Sequence, residues 1–91
     1  MKHFRMLTGV DLPYERQGFI YFTSRMYRFL PTEDQEEIDG LCRRVGKHQW
    51  LALRDLMCTD KSIPRILQDH YIASATTLNR LRRKYYREFP W

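Results

Sequence analysis

The alternation of apolar and polar positions divides the chain into helical segments set off by capping and breaking residues. Phe19, Phe22, Met26 and Phe29 recur at three- and four-residue steps, with Ile20 and Tyr27 beside them, which predicts a helix over residues 13–29. Leu12-Pro13 opens it, because proline is tolerated in a first helical turn, and Pro31 ends it. Gly18 and the run Phe19-Ile20-Tyr21-Phe22 leave a strand as the alternative for that stretch. An aromatic stripe of this kind reads as core first. In so small a chain its richness also allows a homodimer interface over residues 19–30.

Farther along, Thr32 reads as an N-cap, and Glu33 and Asp34 after it suit the positive end of a helix dipole. Ile38, Leu41, Cys42 and Val45 supply the apolar stripe of that second helix, and Gly46 falls where a C-cap belongs. A third helix runs from His48 to Cys58 with Trp50, Leu53, Leu56 and Met57 facing inward; on this stripe Trp50 is a core residue rather than a base-stacking one. After the polar break Thr59-Asp60-Lys61, Ser62 caps a short helix from Ile63 to Tyr71, with Pro64 in its first turn. Ser74 caps a last helix from Ala75 to Glu88, stopped by Pro90. Residues 1–12 show no clear period and read as an arm or a short strand. The expectation is an all-α fold, a small five-helix domain over residues 1–91. It has an arm at 1–12, supporting helices at 13–58 and a helix-turn-helix at 62–88.

Composition narrows the function. A chain of 91 residues is one small domain, and 43% hydrophobic content is too high for a disordered one. No apolar run approaches the roughly 20 residues of a membrane span, so no membrane partner is expected. The basic start Met1-Lys2-His3-Phe4-Arg5 is not followed by an apolar region with a small-residue cleavage site, so no signal peptide is expected either. Cys42 and Cys58 lie far apart and read as buried, reduced thiols, which favours the cytoplasm. Together with His3, His48 and His70 they form no zinc-ligand spacing, so no metal or other cofactor is expected. Glu36, Glu37 and Asp39 sit on a polar helix face with no His, Ser or glycine-rich loop to work with, so no enzymatic activity is expected. His70 reads as a partly exposed helix end, and Trp91 as a cover for Tyr85 or Phe89.

Charge changes the picture most. The net charge is +5, which suits a polyanion, and its distribution says more than its size. Glu33, Asp34, Glu36, Glu37 and Asp39 gather in the second helix, whereas Arg80, Arg82, Arg83, Lys84 and Arg87 gather in the last. Advancing about 100° per residue along that last helix puts Leu78, Leu81 and Tyr85 on one side. Thr76, Arg80, Arg83, Lys84 and Arg87 fall on the other, flanked by Thr77 and Asn79. Arginine donates two hydrogen bonds to guanine O6 and N7, and asparagine pairs with adenine N6 and N7. Thr76, Thr77, Asn79, Arg80 and Arg83 are therefore assigned to base or near-base contact. Ser74, Lys84 and Arg87 are assigned to phosphate.

The stretch from Ser62 to Tyr86, with Ser74-Ala75-Thr76-Thr77-Leu78 as its second cap and first turn, resembles the helix-turn-helix of sigma-factor region 4 and of small phage and mobile-element regulators. The resemblance implies a sequence-specific, double-stranded-DNA-binding transcriptional regulator with residues 74–88 as recognition helix. The chain departs from that pattern at Leu67 and Tyr71, which stand near the family's small residue and turn glycine. The alternative is a protein-interaction adapter docking on RNA polymerase, a nuclease or a phage packaging protein, with the aromatics of residues 19–29 as its anchor.

Overall fold

The structure, a computed structural model, describes residues 4–91. Its helices are α1 (Tyr14–Arg25), α2 (Thr32–Gly46), α3 (Trp50–Cys58), α4 (Ile63–Asp69) and α5 (Ala75–Glu88), with single 3-10 turns at Tyr27–Phe29 and Lys47–Gln49. Among the described residues there is no strand. The fold is all-helical, with four helices of 9 to 15 residues where five were expected; the short element expected over Ile63 to Tyr71 is the 7-residue α4, about two turns long. No described helix is long and apolar enough to cross a membrane.

The core forms where the apolar stripes of α2, α3 and α5 meet. Ile38, Leu41, Cys42 and Val45 from α2 face Ala52, Leu53, Leu56 and Met57 from α3. Across them α5 lays Leu78, Leu81, Tyr85 and Tyr86, all buried. Gly46 has a different role from the expected C-cap. It is the last residue of α2 with ordinary helical dihedrals, and a Cβ there would stand 3.3 Å from the Trp50 Cβ and 3.5 Å from the Leu53 Cβ. The positive φ falls instead on Lys47, at 53°. Thr32 likewise is the first residue inside α2 rather than its cap. Pro31 holds the cap position, and its carbonyl accepts from the Asp34 and Gln35 amides. Trp50 is half-buried rather than interior, its ring covered by the guanidinium groups of Arg43 at 4.4 Å and Arg54 at 5.3 Å. Trp91 packs on Phe89, ring centroids 5.6 Å apart.

The largest departure is in α1. Residues 19–22 are helical, so the strand alternative fails, and the helix itself ends at Arg25 rather than running on to 29. Its apolar stripe also does not face the core. Phe19, Phe22, Met26 and Phe29 are 47%, 49%, 53% and 70% exposed, while the buried positions are Gln17, Gly18, Ile20 and Ser24. The physical reason lies in what α1 has to meet. The Ser24 hydroxyl sits 2.7 Å from the Tyr85 hydroxyl, giving that interior phenol the partner it needs. Burial pushes the Tyr85 pKa well up, so the phenol stays neutral. Gln17, fully buried, accepts at Oε1 from the Leu7 amide (2.9 Å) and donates from Nε2 to the carbonyls of Leu12 (3.0 Å) and Val10 (3.4 Å). One side chain thus pins the otherwise irregular segment 4–12, which is an arm with a turn at Thr8-Gly9 and no strand. Residues 1–3 of the expected arm lie outside the described residues.

Candidate nucleic-acid interface

Local chemistry builds α5. Ser74 is extended (φ −142°, ψ 137°), and its hydroxyl accepts from the Thr76 amide at 3.1 Å, relieving one of the unpaired donors of the first turn. From there the helix divides as the wheel requires at every position but Arg83: Leu78, Leu81 and Tyr85 go inward, and Ser74, Thr76, Arg80, Lys84 and Arg87 are exposed. Thr77, Asn79 and Arg83 are half-buried on the flanks.

The residues assigned to DNA contact are not equally available. Asn79 accepts at Oδ1 from Arg82 Nη2 at 2.7 Å, which engages its carboxamide within the helix. The Nε of Arg83 donates to the Thr8 carbonyl (3.3 Å), and Nη2 of Arg87 donates to the Gly9 carbonyl (3.1 Å). The arm therefore runs along one border of the basic face. Gly9 makes this approach possible: its φ is 80°, and a Cβ there would stand 3.3 Å from Arg83 Nε. Lys84 lies 3.9 Å from Glu88, a carboxylate that Arg44 also reaches at 3.3 Å. Arg80 carries no ion pair among the described residues.

The element ahead of α5 is fixed by its own caps. Ser62 accepts from the Arg65 amide at 3.3 Å. At the far end Tyr71 has φ 55°. The Ile72 amide donates to the Leu67 carbonyl (2.9 Å) and the Tyr71 amide to the Gln68 carbonyl (3.4 Å), the paired bonds of a Schellman motif. A tyrosine, 95% exposed, thus occupies the left-handed position where glycine is favoured. Asp55 of α3 ties this element down through His70 Nε2 (2.8 Å) and Lys61 Nζ (3.1 Å). Burial raises the Asp55 pKa, but the bonds from His70 and Lys61 outweigh it and hold the carboxyl below its ordinary value. His70, expected at a helix end, is the C-cap of α4 and is half-buried by this pairing.

Three polar residues with structural consequence escape a reading by charge runs and apolar stripes: Gln17, Ser24 and Arg82. The signal for Arg82 was present, since Leu78, Arg82 and Tyr86 are spaced four apart and must share a side of α5. Cys42 and Cys58 are free thiols, and burial pushes the Cys42 pKa up to about 12. Among the described residues no group of three His, Cys, Asp or Glu side chains is placed to hold a metal ion. No family model matches the chain, and no curated protein and no solved structure matches it.

Proposed function

We propose that the protein binds double-stranded DNA in a sequence-specific manner, with α5 as the recognition helix of a helix-turn-helix and α4 braced against the backbone. The reading describes a small transcriptional regulator of phage or mobile-element type, acting by occupancy of its site in the cytoplasm, where free thiols such as Cys42 and Cys58 persist. One observation carries it: α5 buries Leu78, Leu81 and Tyr85 while leaving Thr76, Arg80, Lys84 and Arg87 to solvent. Arg80 and Thr76 then reach base edges. Arg83 and Arg87, tethered to the arm carbonyls, meet phosphates along with Lys84. This shifts Arg83 from the base set to the phosphate set and leaves Asn79 to orient Arg82. Neutralising three phosphates gives a slope near −3 in a plot of log affinity against log salt. Fluorescence anisotropy on a selected duplex measures it, and affinity that does not change with salt removes the proposal.

The exposure of Phe19, Phe22, Met26 and Phe29 favours a second reading, an adapter that seats a protein partner or a second copy of itself on this stripe. Light scattering separates the two occupants. If the second copy is the occupant, the DNA site selected from random sequence is palindromic, with half-sites about 34 Å apart.

A further inference from the structure

Between the arm and the ends of α1, α3 and α5 lies a cavity of about 410 Å³ that the DNA reading does not use. Arg5, Arg25, Lys61 and Arg82 line it, and no carboxylate does among the described residues. Two of these cations are balanced by neighbours outside the wall: Arg25 pairs with Asp60, and Lys61 with Asp55. Among the described residues Arg82 has no carboxylate partner. It lies between Leu78 and Tyr86 along α5, half-buried, and donates from Nη2 to the neutral Asn79 carboxamide. The Nε donors of both Arg25 and Arg82 are buried without a hydrogen-bond partner among the described residues. A buried Nε donor left unused on a half-buried guanidinium is costly, and desolvation lowers the Arg82 pKa with the Arg83 charge adding to it. Elsewhere in the molecule such cost is met. Gln17, Ser24 and Tyr85 are each satisfied.

Arg25 and Arg82 both line this cavity, and a guanidinium presents N–H groups in a planar set that matches the oxygens of a phosphoryl group. The remaining wall is of another kind: Leu56, Met57 and Tyr86 offer apolar and aromatic surface, and the volume is that of a small-molecule site. We propose that this cavity binds a phosphate-bearing molecule, its phosphoryl group held by Arg82 and Arg25 and its organic part lying against Leu56, Met57 and Tyr86. The proposal stands apart from the DNA reading, because neither arginine belongs to the exposed face of α5.

Thermal unfolding and calorimetric titration with inorganic phosphate and pyrophosphate, at ionic strength matched with chloride, test it on the full chain. The wild type is expected to gain about 5 °C or more in Tm at tenfold excess over the Kd. Arg82→Met is expected to lose that gain while melting no lower than wild type without ligand, since it removes an uncompensated charge. Should Arg82→Met fail to fold, Arg25→Gln supplies the second test and is expected to weaken phosphate binding at least tenfold. No gain in the wild type, or an equal gain in wild type and variants, overturns the proposal. A short single strand with and without a 5′-phosphate identifies the source. Preference for the phosphorylated strand assigns a nucleic-acid end. Phosphate binding without that preference assigns a free small phosphate. The salt-dependent duplex titration with Arg82→Met keeps the two proposals separable, because DNA affinity survives there even if phosphate binding is lost.

Discussion

In α5 the residues buried against α2 and α3 are Leu78, Leu81 and Tyr85, and the outer face is Thr76, Arg80, Lys84 and Arg87. In α1 the buried residues include Gln17 and Ser24, and the outer face carries Phe19 and Phe22. Both helices have two unlike faces, yet they sit in the fold in opposite senses. The difference teaches that periodicity identifies faces, while the partner decides which face turns inward. For α5 the partner is the apolar surface of α2 and α3. For α1 it is the Tyr85 hydroxyl and the irregular arm, both of which need polar atoms opposite them.

The contrast can be broken most sharply by truncating one aromatic from each kind of face. Tyr85→Ala removes a fully buried ring and should cost about 3–5 kcal/mol in denaturant unfolding. Phe29→Ala, at an exposed ring, should stay within about 0.5 kcal/mol. Comparable losses at both positions mean that the stripe following α1 is covered in solution, as the dimer reading requires. A smaller effect tests the polar inner face itself. Ser24→Ala leaves the Tyr85 hydroxyl buried without its partner and should cost about 1–3 kcal/mol, and adding Tyr85→Phe should restore much of that loss. The smallest effect lies at the junction before α5. Tyr71→Gly relieves a left-handed tyrosine and should stabilise the protein by about 1 kcal/mol, read from the unfolding midpoint. Destabilisation there means that the exposed tyrosine makes a contact that the isolated chain does not show.

Much of the fold was legible for one physical reason: caps and breakers are local. Ser62, Ser74 and Pro90 mark α4 and α5 within a residue or two, and α2 and α3 follow their apolar stripes. What was not legible depended on tertiary neighbours. Nothing local distinguishes Gly46 as a C-cap from Gly46 as a gap for Trp50 and Leu53. Nothing local reveals that Gln17 will meet the carbonyls of Val10 and Leu12. The candidate interface divides the same way. The exposure of Thr76, Arg80, Lys84 and Arg87 followed from the wheel. The tethering of Arg83 and Arg87 to Thr8 and Gly9, separated from them by most of the chain, did not.

The polar face of α5 is the centre of the account, and Arg80 is its most exposed test. Anisotropy titrations of wild type and Arg80→Ala, on a duplex selected from random sequence and on a scrambled one, measure it directly across a range of salt. A wild-type salt slope near −3 and a loss of about 1–3 kcal/mol for Arg80→Ala on the selected duplex are expected. The discrimination between the two duplexes should narrow while the unfolding midpoint stays unchanged. Equal affinity of the two proteins for the selected duplex, or no salt-sensitive binding by either, contradicts the account.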